Sequence, residues 1–256
     1  MILLPVLVAL ATLGLSCRSS ASLHAIDPIV ASCIPPTAVI LAGVNLERLR
    51  ASPLYRQFPP AVTAFLEPIR EASSLLVASD GRDYLAISRG SFRQPPPGAT
   101  LLAPGLAAAG SPDWVRAAAT QQRFAAPARL ALLEPAEALA GSSEIWMAMA
   151  GGANLPVSGN AENLSRLLRA TEYTTLSVKL ANTITLEAIG TCATPEIARK
   201  LEETVRAFIT LGAAAGGRQT AIGGLLKRIR ISREDRAVHL NLSAEPAEME
   251  QLFKIF

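Results

Sequence analysis

The sequence predicts an α+β fold built from two duplicated ferredoxin-like (split βαβ) modules, with antiparallel sheets and helices on one face. Three observations predict this class. The chain of 256 residues is 50% hydrophobic and 18% charged, which favours folding over disorder. Several short segments alternate polar and apolar residues, as half-buried antiparallel strands do. Short sequence motifs also recur in the same order in both halves of the chain.

The repeated motifs divide the chain into two modules. Residues 44–49 (VNLERL) resemble residues 162–167 (ENLSRL), and residues 134–137 (EPAE) recur at residues 245–248. The two repeats have nearly the same offset, 118 and 111 residues. We therefore expect a first α+β module over 37–143 and a second over 144–256.

The N-terminal segment predicts export. Residues 1–16 (MILLPVLVALATLGLS) carry no charge and are about as long as the apolar region of a signal peptide, which is short for a membrane span. Small residues precede Cys17, so the segment resembles a bacterial lipoprotein signal that is cut and lipidated at this cysteine. The resemblance is partial, because Gly14 stands where such signals carry Leu and no Lys or Arg lies near Met1. Plain secretion with cleavage near Ala21 or Ala25, and a cytoplasmic protein with a buried N-terminal helix, are the alternatives.

A tether is expected over residues 17–36, followed by the elements of the first module. Residues 38–44 form an apolar run that predicts a buried strand, and Asn45 is a good N-cap for a helix interrupted by prolines. Residues 74–79 and 83–88 flank Asp80-Gly81, a strong hairpin signal. After a proline-rich loop, helical regions are expected at 101–109 and 112–119. A strand at 128–133 and a short helix at 135–140 complete this module.

The second module has clearer patterns. Residues 144–150 predict a strand, 160–169 a helix, and 173–180 with 183–189 a two-faced hairpin. Thr194 and Pro195 start a helix whose apolar stripe extends to Leu211, with Gly212 near its end. Residues 227–232 and 237–243 predict a second hairpin, and 246–253 a closing helix.

The cysteines outside the signal segment have two interpretations. Cys33 and Cys192 can pair if the compartment is oxidising, or they can be two unpaired small hydrophobic residues. The sequence contains no Cys-x-x-Cys, which excludes redox and zinc pairs of that spacing.

The sequence offers little for catalysis, and we expect no cofactor and no metal site. Residues 212–220 come near a phosphate-binding loop, but Arg218 and Gln219 replace its Lys and Ser or Thr. No Gly-x-Ser-x-Gly occurs, and the two histidines are His24 in the expected tether and His239 on a strand. Carboxylate pairs such as Glu202 and Glu203 lie on helices beside basic residues, which is typical of solvated faces.

The most suggestive feature is the basic segment that contains the second hairpin. Alternation places Arg228 and Arg230 on the sheet face opposite Ile229 and Ile231, and His239 on the same side as the arginines. The candidate residues for an anionic partner are Arg228, Arg230, Arg233, Arg236 and His239. The alternative interpretation is a solvated edge that its charges protect from aggregation. A net charge of only +3, together with the absence of aromatic residues on these strands, argues against nucleic acid as the partner.

These observations predict an exported protein of the bacterial cell envelope, either a lipoprotein anchored through Cys17 or a periplasmic protein. Its expected role is non-enzymatic binding or scaffolding, with an anionic envelope component or a protein as partner. The alternative is an envelope-associated hydrolase that uses carboxylate chemistry.

Overall fold

The computed structural model describes residues 25–58, 60–123, 130–153, 169–215 and 221–246. These residues form a mixed α/β structure with one antiparallel sheet and several helices. The strands are β1 Ile40–Asn45, β2 Ala72–Ser79, β3 Tyr84–Gly90, β4 Thr100–Ala103, β5 Leu106–Gly110, β6 Ile145–Ala150, β7 Tyr173–Leu180, β8 Ile184–Thr191, β9 Arg230–Glu234 and β10 Ala237–Ala244. The helices are α1 Pro28–Ser32, α2 Leu46–Ala51, α3 Pro60–Leu66, α4 Pro112–Gln121, α5 Leu133–Ala140, α6 Pro195–Ala215 and α7 Ala221–Leu226, with 3-10 turns at Tyr55–Gln57 and Glu67–Ile69.

The sheet is continuous across the expected module boundary. Its ten strands follow the order β4-β5-β3-β2-β1-β6-β7-β8-β10-β9, so β1 and β6 join the two halves at the centre. A split βαβ unit places parallel strands in the sheet through helical crossovers, whereas every described neighbouring pair here is antiparallel. The prediction of antiparallel strands is confirmed. The described strands do not have the ferredoxin-like arrangement. Duplication itself stays a prediction.

Helices cover both faces of the sheet, so the expectation of helices on one face is wrong. Leu41 and Val44 lie three residues apart on β1 and therefore point to opposite faces. Leu41 belongs to a core cluster that includes Ala118 of α4 and Ala136 of α5, whereas Val44 packs against a second cluster around α2. The physical reason is that β1 is apolar almost throughout, and such a strand needs cover on both sides.

The segment expected to be a tether contributes to the core from its described start at Ala25. Asp27 caps α1, because its Oδ1 accepts a hydrogen bond from the Ile29 amide at 2.8 Å. Val30, Cys33 and Ile34 are all buried in the larger core cluster. Residues 26–34, which the sequence predicts as part of a tether over 17–36, therefore contribute to the core.

Most of the expected strands are confirmed, and one expected helix is wrong. The hairpins β2–β3 and β7–β8 form where alternation and turn residues predict them. Residues 101–109, predicted as helical, instead form β4 and β5 around Gly105, which adopts φ +68°. Alanine-rich segments favour helices locally, but Ala107 and Ala108 are fully buried in the sheet beside β3. Tertiary packing therefore overrides the local preference.

The helix starts follow their capping residues, and several ends do not match the expectation. The Asn45 side chain accepts from the Arg48 amide at 2.9 Å, and Thr194 Oγ1 accepts from the Ile197 amide at 3.3 Å. Helix α6 continues past Gly212 to Ala215. No strand forms at residues 130–132 of the expected strand at 128–133. The helix expected at 160–169, and most of the one at 246–253, lie outside the described residues.

The two described cysteines are separate and reduced. Cys33 and Cys192 are both fully buried and belong to different core clusters. Burial raises the pKa of the Cys33 thiol to about 11, and it raises the pKa of Cys192 as well. The interpretation as two unpaired small hydrophobic residues agrees with this arrangement.

Candidate functional site

The β9–β10 hairpin lies at one edge of the sheet and carries most of the predicted site residues. In its register Arg230 lies opposite Asn241, and Ser232 lies opposite His239. Residues two apart on a strand share a face, so these four side chains occupy one sheet face. Val238, Leu240 and Ile231 point to the other face, where they pack with α6.

Arg228 lies beyond the start of the strand. The sequence places it on the same strand as Arg230, whereas β9 begins only at Arg230. The Arg228 guanidinium donates to the carbonyl oxygen of Ser243 on β10 at 2.5 Å. Its side chain therefore crosses toward β10 and remains exposed.

Arg233 and Arg236 are separated from this face and have carboxylate partners. Arg233 points to the α6 side, where its Nε lies 3.1 Å from Glu202 Oε2. Arg206 binds the other oxygen of Glu202 at 2.8 Å, and the hydrogen bonds from Arg206 lower the pKa of this carboxyl. In the turn after β9, Arg236 lies 3.7 Å from Glu172 and 4.0 Å from Asp235. Both arginines are therefore exposed residues that lie next to carboxylates.

Three further basic residues lie close together where the chain enters β9. Lys227, Arg228 and Arg230 are exposed within four consecutive residues, and we call these three residues the cationic cluster. Neighbouring cations on an exposed segment raise the local concentration of anions. Strand alternation in the sequence points to Arg228 and Arg230 but not to Lys227.

An apolar groove of about 680 Å³ opens beside the cationic cluster. It lies between α6, α7 and the edge strand, and Arg206 and Lys227 stand among its lining residues. Its apolar lining consists of Ile209, Ala213, Ala214, Leu226, Ile229 and Ile231. The alternation of Ile229 and Ile231 with basic residues predicts that the two isoleucines lie on the buried face of the strand. Only the tertiary structure shows that α6 leaves part of this apolar face uncovered.

His239 lies beside Glu187, which sequence analysis did not single out. The His239 Nδ1 and Glu187 Oε1 atoms are 3.9 Å apart, beyond hydrogen-bonding distance. Ser232 lies opposite His239, whereas Glu187 lies opposite Asn241 and is therefore a diagonal neighbour of His239. No hydrogen bond among the described residues connects Ser232 to His239. A nucleophile and its base need such contact, so these side chains are better described as a polar surface. Only strand register could have brought Glu187 to it.

A larger groove, of about 1120 Å³, lies elsewhere, between the segments 67–72 and 91–97. Its charged side chains include Glu67 and Arg70, which form an exposed ion pair with each other at 3.1 Å. No sequence motif marks this groove. Within the described ranges, the structure also brings together no group of three potential metal-ligating residues.

Two further features concern the membrane. Cys17 and the segment before it lie outside the described residues. Among the helices that the structure does describe, none is both long and apolar enough to cross a bilayer.

Comparisons with known proteins reveal similarity of fold. No protein-family model matches the sequence, and no curated protein matches it. Among solved structures, crystal form III of TP0453 superposes with a TM-score of 0.51 at 9% sequence identity, over 90% of this chain and 99% of that chain. Crystal form I of TP0453 gives a TM-score of 0.47 at 10% identity, over 90% of this chain and 97% of that chain. At such low identity, the similarity to crystal form III establishes a shared fold and nothing more.

Proposed function

We propose that this chain is an exported protein of the bacterial cell envelope, anchored by a lipid on Cys17, that binds an anionic envelope component without catalysing a reaction. The binding surface is the cationic cluster, Lys227, Arg228 and Arg230. His239 lies on the same sheet face as Arg230 and extends this surface. Arg233 and Arg236 belong to the same hairpin and form ion pairs with Glu202 and Glu172.

The observation that carries the proposal is the clustering of exposed basic residues where the chain enters the hairpin. Lys227, Arg228 and Arg230 are exposed within four consecutive residues at the edge of the sheet. Exposed cations attract anions over roughly one Debye length, about 8 Å at physiological salt. Such a surface suits binding of an anion better than it suits enclosure of a substrate.

We further propose that the two halves are structural duplicates. Counted outward from the centre, the first half has the order β1, β2, β3, β5, β4, and the second half has the order β6, β7, β8, β10, β9. The same exchange of the last two strands occurs in both halves. This agreement supports the duplication that the sequence motifs suggest, with an antiparallel repeat in place of the ferredoxin-like unit.

The anchor is tested by metabolic labelling with a fatty-acid analogue. The wild-type protein should incorporate the label and remain with the membrane fraction, because acylation of Cys17 supplies buried CH₂ groups worth about 0.8 kcal/mol each. The variant Cys17→Ser should lose the label. Equal labelling of both proteins would refute lipidation at this residue.

The binding surface is tested by retention on two anionic probes, phosphatidylglycerol vesicles and an immobilised acidic polysaccharide. The double variant Arg228→Ala/Arg230→Ala should elute at clearly lower salt than wild type, because two exposed cations are lost. The matched control is Arg82→Ala/Arg123→Ala, which removes two exposed arginines far from the hairpin. The probe that shows the larger difference identifies the class of partner.

Equal retention of wild type, the double variant and the control on both probes would refute the cationic cluster as a binding surface. An equal loss in the double variant and the control would also refute it, because net charge would then explain retention. The expected result is a loss confined to the double variant that disappears at high salt.

A further inference from the structure

Strand β9 forms an open edge of the sheet. It pairs with β10 on one side, and in the described part of the chain no strand pairs with its other side. In an antiparallel pair, alternate residues direct both their N–H and C=O groups toward the partner strand or away from it. The carbonyl oxygen of Ile231 accepts a hydrogen bond from Arg206 of α6 at 2.8 Å, so Ile231 faces away from β10. Arg233, two residues later, faces away in the same manner.

The sequence of β9 is complementary to itself. If two copies of Arg230–Glu234 pair antiparallel about Ser232, then Arg230 lies opposite the second copy's Glu234 in both halves of the pair. Ile231 then lies opposite Arg233 of the second copy, and these are the two residues whose backbone groups face outward. The pairing that aligns opposite charges is therefore also the pairing that aligns backbone donors with acceptors.

The charges that this pairing would join have no ion-pair partner in the part of the chain that the structure describes. Arg230 and Glu234 are both exposed, and neither forms an ion pair with any other described residue. They lie on the same face as Ser232, opposite the face that α6 covers. Opposite charges directly across two antiparallel strands stabilise the pairing, and the two-fold symmetry supplies this contact twice.

The apolar groove supports the same assembly. Ile229 and Ile231, which belong to the edge strand or directly precede it, are among its lining residues. A second copy would cover part of this apolar surface, and covering such surface favours association. Arg206 does not block the edge, because the Ile231 carbonyl has two lone pairs and can accept a second hydrogen bond.

We propose that the protein forms a two-fold symmetric dimer in which β9 of one copy pairs with β9 of a second copy, with Arg230 opposite Glu234 at both ends. This makes the sheet continuous across two molecules, and it leaves Lys227 and Arg228 as the exposed cations of the cationic cluster in the dimer. The opposite edge, β4, is less suited to the same role, because a bulge interrupts its register between Leu101 and Ala103.

Charge reversal tests the dimer. The mass of the purified protein in mild detergent is measured by sedimentation equilibrium, in which the dimer has twice the mass of the monomer. The single variants Arg230→Glu and Glu234→Arg should each weaken the dimer roughly tenfold to thirtyfold, because each places like charges opposite each other twice. The double variant Arg230→Glu/Glu234→Arg should restore the dimer, because the pairs return with reversed sign.

Cross-linking tests the register independently. In the proposed pair Ser232 lies on the two-fold axis at a non-hydrogen-bonded position, where facing side chains are closest. Mild oxidation of cells that produce Ser232→Cys should give a disulfide-linked dimer, whereas Ser243→Cys, exposed on the same sheet face but on β10, should not. The native Cys33 and Cys192 are buried and do not compete.

A chain that stays monomeric overturns the proposal, as does a dimer whose stability ignores both charge reversals. Equal cross-linking at positions 232 and 243 overturns the register. If the protein is a monomer and its retention on anionic probes still depends on salt and on Arg228 and Arg230, then the dimer is refuted and the proposed function stands. The two proposals can therefore be refuted independently.

Discussion

Gly43 shows how a single residue holds the two halves of the molecule together. Gly43 of β1 lies directly opposite Trp146 of β6, and the Trp146 side chain is only 5% exposed. A Cβ atom on Gly43 would lie 2.3 Å from the indole ring. The tryptophan therefore occupies the space that any larger residue at position 43 would need, and Gly43 is required by close approach to the ring.

We expect Gly43→Ala to lower the free energy of unfolding by roughly 1 to 3 kcal/mol, the usual cost of overpacking a core. Thermal and denaturant unfolding measure this change. Gly224→Ala is the control, because a Cβ there meets nothing within 4 Å and alanine is the better helix former by up to about 1 kcal/mol. Equal stability of Gly43→Ala and wild type would show that Trp146 can move aside at little cost.

At the scale of elements, the β9–β10 hairpin packs in the core with one face and exposes charged residues on the other. Ile231 packs against the cluster that contains Leu201 and Val238, so its face contributes to the core. Arg230 is exposed on the other face. The turn between the strands uses Asp235 at φ +47°, a conformation that aspartate tolerates better than most residues. The hairpin is therefore held by one face and leaves the other available to partners.

The two faces should respond differently to mutation. Ile231→Ala should lower the free energy of unfolding by roughly 1 to 3 kcal/mol, because a partly buried isoleucine loses its packing. Arg228→Ala/Arg230→Ala should change it by less than about 1 kcal/mol, since exposed charges contribute little. Both are measured by denaturant unfolding. A large loss in the arginine variant would contradict the assignment of faces.

At the scale of the whole molecule, the sheet is the unit of folding. Strands β1 and β6 pair over five positions at its centre, from Ile40 with Met149 to Val44 with Ile145. The core cluster on one face includes residues of both halves, among them Leu41 and Ala148. Separating the halves would expose this pairing and leave both central strands as open apolar edges.

We therefore expect residues 25–143 and 144–256 to fold poorly when produced apart and to associate when produced together. Circular dichroism and co-purification of one tagged half with the other measure this behaviour. The wild-type chain should unfold in one cooperative transition. Two separate transitions, or stable isolated halves, would instead support the independent modules that the repeated sequence motifs suggest.

Several elements of the fold and site were accessible from sequence because their causes are local. Asn45 and Thr194 cap helices through contacts three residues away, and Asp80-Gly81 ends a strand through its own turn chemistry. Alternation likewise predicted the faces of Arg230 and His239. The prediction of export is local as well, because it depends only on the charge-free segment before Cys17.

Tertiary structure decided what depends on residues distant in the chain. Ala107 and Ala108 form a strand because their backbone groups pair with β3. Residues 26–34 are part of the core because they pack against apolar residues of the sheet and its helices. Arg233 lies beside Glu202 of α6, so it is not part of the cationic cluster. Glu187 lies near His239 because of the register between their strands. Local sequence sets the preferences of a segment, but burial energy and hydrogen-bond partners come from elsewhere in the chain. The sequence by itself therefore determined strands, caps and charges, and the tertiary structure alone determined which of those charges lie next to a carboxylate.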